Sequence, residues 1–190
     1  MNAAEVIDVL EQRGALRHGH FVLSSGRHSD VFVQKFRVLE HPRLTQRFGE
    51  AVADLFERRF EAVASPAVGA IVLGFAAALA AGARLAIAER EAGALVFRRG
   101  FDFRPHEKVL VVEDVVTTGA SARAVVELVR AAGAEPVGVA ALIDRGDRAR
   151  TDLGAPLRTL VALRTDSWTP ADCPLCARRV PLEDPGSSRL

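Results

Sequence analysis

With only two cysteines, Cys173 and Cys176, in 190 residues, the chain has too few thiols for a disulfide framework. It also lacks an excess of either charge: 25 Lys and Arg stand against 24 Asp and Glu, a net charge of +1. Nucleic-acid and anionic-membrane partners reward a basic excess, through counterion release or attraction to lipid, so neither is expected. The opening Met1-Asn2-Ala3-Ala4-Glu5 shows no cationic segment leading into an apolar stretch and a small-residue cleavage site, and the expected location is the cytoplasm. Internal repeats and an interior linker are missing too. One domain over 1–190 is therefore expected, with a tail at 181–190 that frays. Ala67 to Ala83 is a 17-residue stretch without a charge, close to the roughly 20 that span a bilayer. It is mostly Ala and Gly, with larger apolar residues such as Ile71, Val72, Leu73, Phe75 and Leu79, which suits a helix lying closely on a sheet.

What is present is an alternation of patterns. Val6, Val9 and Leu10 mark a short amphipathic helix, and after His41-Pro42 a longer one carries Leu44, Phe48, Val52 and Leu55 at three- and four-residue steps. Between them, Phe21 to Val33 holds Ser24-Ser25-Gly26 among alternating apolar positions, the mark of a loop or short hairpin. From residue 60 short β-rich runs alternate with helices: Ala62 to Ala64, then the Ala-rich helix, Leu85 to Ile87, Leu95 to Phe97 and Lys108 to Val112. A helix with Ala122, Val125, Val126 and Val129 on one face follows and stops at Gly133, and Val137 to Ile143 and Leu157 to Leu163 complete the set. This order predicts an α/β fold with right-handed crossovers and a mostly parallel central sheet flanked by helices.

In such sheets ligands bind beyond the carboxyl ends of the strands, and the loop richest in chemistry is Glu113-Asp114-Val115-Val116-Thr117-Thr118-Gly119-Ala120-Ser121. Thr117 to Ser121 set hydroxyls and successive backbone N–H groups at a helix N-terminus, with a permissive Gly119, which suits a phosphate monoester. Glu113 and Asp114, just upstream, would repel a second phosphate. Adjacent carboxylates suit sugar hydroxyls, or water around Mg²⁺. A sugar phosphate satisfies both halves.

Four apolar residues, two acids, two apolar residues and Thr-Thr-Gly resemble the phosphoribosyl-diphosphate (PRPP) signature of the type I phosphoribosyltransferases. Gly19 to Ser29, which contains Phe21, Leu23, Ser25-Gly26 and Ser29, is similar to the N-terminal hood of the orotate phosphoribosyltransferases. The resemblance implies a hood made mainly by residues 1–40, and transfer of phosphoribose from PRPP to orotate in pyrimidine biosynthesis, with Mg²⁺ held mainly by PRPP and a homodimer as partner state. It places Glu113 and Asp114 beside the reacting sugar and residues 113–121 on PRPP. Thr117, Ser24, Ser25, Gly26 and Phe32 then belong to the orotate side, together with Arg145. An Arg at a strand's carboxyl end can bind a planar carboxylate bidentately. A purine or uracil transferase and a PRPP-sensing regulator are the alternatives; the hood disfavours the first, and the absence of a DNA-binding element the second.

The chain departs from the family at its cations. Ser24 stands where the hood often has Lys, and Ser65-Pro66-Ala67-Val68-Gly69-Ala70 lacks the Lys of the pyrophosphate loop. The catalytic loop is reduced to Ala88-Glu89-Arg90-Glu91-Ala92-Gly93, leaving Arg90 as a match for a family Lys and Arg98, Arg99 or His106 as replacements, across a dimer interface if need be. Separately, Cys173-Pro174-Leu175-Cys176 reads either as half of a zinc site completed by a second chain or as two small buried thiols.

Overall fold

The computed structural model describes residues 1–23, 25–146, 152–163 and 165–185. The chain opens with helix α1 (Ala3–Gln12), started by an Asn2–Glu5 capping box, and an antiparallel hairpin of β1 (Leu16–Val22) and β2 (His28–Val33). A single turn, α2 (Phe36–Leu39), leads into α3 (Pro42–Asp54), and β3 (Ala62–Pro66) starts the alternating region. Then come α4 (Ile71–Ala81), β4 (Arg84–Glu91), β5 (Ala94–Phe97), β6 (Lys108–Val116), α5 (Ala120–Ala131), β7 (Glu135–Asp144) and β8 (Leu157–Ala162). A two-residue strand β9 (Ser167–Trp168) and the turn α6 (Pro174–Ala177) follow.

The six-stranded sheet runs in the order β5-β4-β3-β6-β7-β8, parallel throughout except for β5. Strand alternation sorts its side chains onto two faces. Val63, Leu110, Val112 and Leu142 pack with Leu10, Phe48, Val52 and Leu73 from the helices α1, α3 and α4. Ala62, Ala64, Val109, Val111 and Val139 pack with Val125, Val126 and Val129 of α5 on the other face. The close approach of α3 to α4 requires Gly49, where a Cβ would stand 2.4 Å from that of Ala76. Glu107, fully buried just ahead of β6, accepts hydrogen bonds from the Arg84 guanidinium, which holds its carboxyl well down, at about 2.

α4 covers most of the expected Ala67–Ala83 run, and no helix among the described residues is long and apolar enough to cross a membrane. The small sheet β1-β2-β9 holds a strand that the local pattern did not announce. β9 joins β2 across about 140 residues of sequence, and Ser29 Oγ donates to the Asp166 carbonyl at 2.9 Å. Residues 181–185, where fraying is expected, are instead tied to the hairpin: Val22 N–H donates to Glu183 O at 3.0 Å, Glu183 N–H to His20 O at 2.8 Å, and Arg17 pairs with the Glu183 carboxylate at 2.6 Å. Of the tail, 186–190 lie outside the described residues, as does Ser24.

Candidate active site

β3 leads through α4 to β4 on one side of the sheet, while β6 leads through α5 to β7 on the other, so the chain reverses direction between β3 and β6. Such a reversal opens a crevice beyond the strand ends. Here β3 pairs with β6 only as far as Ala64 and Val111, whereas β6 stays paired to β7 up to Val116 and Asp144. The unpaired gap is a cavity of about 310 Å³ lined by Lys35, by Pro66 to Gly69 and by Glu113 to Ala122. Sequence reasoning singled out residues 113–121 as one site, and all nine line this cavity.

Each wall follows from local chemistry. Strand β6 runs through Glu113 and Asp114, so alternation sends the two acids to opposite faces of the sheet edge. Glu113 falls on the α5 side with Val109 and Val111. Asp114 falls on the α3–α4 side, where Lys35 Nζ lies 2.6 Å from its Oδ2; beyond that ammonium, no described residue hydrogen-bonds this oxygen. Val115 N–H donates to Asp114 Oδ1 at 2.6 Å, which fixes the carboxylate plane. The Lys35–Asp114 pair presses against the backbone of Gly69: a Cβ there would stand 2.0 Å from Asp114 Oδ2 and 2.6 Å from Lys35 Nζ. The neighbouring Ala67–Val68 peptide is cis.

Helix α5 begins at Ala120 behind Gly119, whose φ of +82° places it in the left-handed region and which offers no capping side chain. The first turn's N–H groups therefore meet the cavity with only a long contact, 3.4 Å, from Ala120 N–H to Thr118 Oγ1. Thr117 and Thr118 are exposed beside them. Positive helix-end dipole and hydroxyls at one end, and two carboxylates with Lys35 beside Asp114 at the other, make a cavity with one anion-accepting wall and one hydroxyl-accepting wall. Burial, and then the neighbouring Asp114 charge, push the Glu113 carboxyl up to about 8, so it is largely protonated at neutral pH in the free protein.

Arg145, one residue past β7, is joined to the same loop by its N–H, which donates to Val116 O at 2.9 Å; its Nη2 reaches Thr165 Oγ1 at 3.3 Å. Other expected residues stand apart. Ser25 and Gly26 are exposed in the β1–β2 turn and do not line the cavity. Phe32, expected against the base, is buried, stacks on Phe21 with centroids 5.6 Å apart, and borders a different cavity beside Arg17 and Arg37, because strand pairing sets it opposite Arg17.

The cations expected from the 88–99 segment are also elsewhere. β4 and β5 form a tight hairpin turned at Ala92-Gly93, both with positive φ. Its charges satisfy one another: Arg90 donates to Gly93 O at 2.7 Å, Arg98 to Glu91 at 2.5 Å and Arg99 to Glu89 at 2.5 Å. None of the four, His106 included, lines the Glu113–Asp114 cavity. The cation that does is Lys35, which sequence reasoning missed; the only signal was a lysine two residues after the hairpin's last strand.

Residues 37–175 match the model of the phosphoribosyl transferase domain. An orotate phosphoribosyltransferase of Thermotoga maritima is 45% identical over 184 residues, covering 96% of this chain and 98% of its own, and one of Caldanaerobacter subterraneus is 40% identical over the whole of both chains. The crystal structure of the Aeropyrum pernix orotate phosphoribosyltransferase superposes with a TM-score of 0.73 at 28% identity, over 84% of this chain and 94% of that one. The Mycobacterium tuberculosis enzyme in complex with PRPP superposes at 0.66 and 27%, over 85% and 96%. The chain belongs to the phosphoribosyltransferase family, on its orotate phosphoribosyltransferase branch.

Proposed function

We infer that this protein transfers the phosphoribosyl group of PRPP to N1 of orotate, forming orotidine 5′-monophosphate and pyrophosphate, a step of pyrimidine biosynthesis. The observation that carries the reading is the β3–β6 cavity, with an uncapped helix end and two carboxylates spaced across one small chamber. The amides and hydroxyls of Thr117 to Ser121 take the 5′-phosphate, and that remote binding energy positions C1′. Asp114 and Glu113 take the ribose hydroxyls and face the sugar as it gains oxocarbenium character. Val115 and Val116 carry this wall, and Lys35 with the Pro66–Gly69 backbone faces the pyrophosphate side.

Mg²⁺ fits the site: the donors facing the cavity are hard carboxylate oxygens, but Asp114 already pairs with Lys35, so most ligands come from PRPP itself. When bound, the ion neutralises charge on the departing pyrophosphate. Arg145 and the hood turn with Ser25 and Gly26 hold orotate, together with Thr117, after the hood closes over the strand ends. A homodimer is supported by α4, which is apolar all round: one side packs inward, and Val72, Phe75 and Leu79, with Val68 just ahead of it, remain exposed as a stripe at helical spacing. The near-neutral charge supports a cytoplasmic, small-molecule enzyme.

Incubation with PRPP, Mg²⁺ and each base in turn, followed by absorbance, tests the reading. Turnover with orotate and none with purines or uracil is expected. Binding of PRPP without turnover on any base would refute catalysis.

A further inference from the structure

Away from the cavity, four side chains from two distant stretches of sequence converge: His20 on β1 and His28 on β2, and Cys173 and Cys176 bracketing α6, with all four potential donor atoms within 4.8 Å of one another. We propose that these residues form a structural zinc site completed within a single chain, a clasp between the hood hairpin and the carboxyl-terminal segment.

Four of the six donor–donor edges lie close to those of a zinc tetrahedron, and the other two are no longer than 4.8 Å. Zinc bonds of about 2.0–2.1 Å to nitrogen and about 2.3 Å to sulfur imply edges of ~3.4 Å between nitrogens and ~3.6 Å from nitrogen to sulfur. His20 Nε2 and His28 Nδ1 are 3.0 Å apart; Cys173 Sγ lies 3.4 Å from His20 Nε2; Cys176 Sγ lies 3.7 Å from His20 Nε2 and 3.3 Å from His28 Nδ1. His20 Nδ1 is 2.9 Å from Val180 O, so its N–H donates there and leaves the Nε2 lone pair directed into the cluster, the arrangement that fixes a metal-binding tautomer.

Hydrogen bonding alone accounts for less. An N–H on His28 can satisfy His20 Nε2, but that one lone pair cannot also serve two thiols held at 3.4 and 3.7 Å. One cation at the centre satisfies all four donors, and two thiolates balance its charge. Mixed imidazole and thiolate donors in a tetrahedron select Zn²⁺, and four protein ligands leave no open position, so the role is structural. His20, His28 and Cys173 are buried while Cys176 is exposed, which gives the ion a path in. The two histidines bracket the β1–β2 turn, so the clasp fixes the base of the hood.

The site is tested on the full chain purified without chelator and with a thiol reductant, by metal content and by Co²⁺ substitution. One zinc per chain is expected, with the visible bands of tetrahedral, thiolate-bound cobalt in the exchanged protein. H28N and C176S should each lose most of the metal and the cobalt bands, and chelator should lower the melting temperature of the wild type but not of C176S. C176S, at an exposed position, guards against misfolding as the explanation, since an unchanged far-ultraviolet circular dichroism spectrum reports an intact fold. Half an equivalent per chain, unchanged by H28N, would assign the metal to thiols shared between two chains and overturn the single-chain site. No uptake from added zinc or cobalt under reducing conditions would overturn it altogether.

Discussion

Two loops at the carboxyl ends of β4 and β6, parallel strands on either side of β3, both carry charge, and they treat it in opposite ways. In the β4–β5 hairpin, Arg98 meets Glu91, Arg99 meets Glu89 and Arg90 meets a backbone carbonyl, so each of these cations finds a partner within ten residues. In the β6–α5 loop, the buried Asp114 meets one ammonium drawn from far upstream, Glu113 is held largely neutral by burial, and the helix end beside them has no cap. Exposed pairs of the first kind contribute little, whereas buried charge with incomplete pairing is held at a cost that a ligand can relieve. On the proposed function, that difference is what equips the β6–α5 loop, and not the hairpin, to take substrate.

Breaking the β6–α5 arrangement should give the largest effect. D114N is expected to reduce turnover by roughly 30- to 1000-fold, or about 2–4 kcal/mol of transition-state stabilisation, with orotate affinity nearly unchanged; steady-state kinetics showing equal losses in both would contradict its role. K35M comes next. It leaves a carboxylate with 3% side-chain exposure unpaired, and PRPP affinity measured by calorimetry should fall about 10- to 100-fold, with partial recovery in K35R.

A smaller effect sharpens the contrast from the side of stability. The raised Glu113 carboxyl binds a proton in the folded chain that the unfolded chain has already released, so between about pH 4.5 and about pH 8 stability falls as pH rises. E113Q should therefore stabilise the ligand-free protein by about 1–2 kcal/mol at pH 8 and very little at pH 5, while impairing catalysis. Denaturant melts of the mutant and wild type at the two pH values measure this, and a mutant equally stable at both relative to wild type would remove the buried-acid account. Smallest is the hairpin: R99A, which removes an exposed and solvent-screened pair, should leave stability and PRPP affinity nearly unchanged, and a tenfold loss of PRPP affinity would show that the hairpin enters the site.

The alternation of apolar runs was sufficient to locate every strand of the large sheet, because each is read from its own residues. The phosphate cradle was equally legible, since its strand, acids and hydroxyls are contiguous from Val112 to Ser121. What stayed hidden was built by pairing across the chain. Lys35 reaches Asp114 only because the β1–β2 hairpin and α2 bring it back over the strand ends. β9 is two residues long and has no periodicity to read. Cys173 and Cys176 announced half a cluster, but His20 and His28 sit some 150 residues away, and no local pattern links them. The placement of Phe32 against Phe21 was not legible either, because the strand phase of β2, which decides its face, is set by its register with β1.

The hydrogen bonds that link Glu183 with His20 and Val22 join the first hairpin to a residue some 160 positions further on. A ribosome emits this chain in order from its amino-terminal side, so the first hairpin waits for those 160 residues to be made before its last edge exists. The large sheet can assemble meanwhile. The hood is therefore expected to be the final part to settle, and a stop codon or proteolytic cut near residue 180 would leave an intact sheet with an unfastened cover.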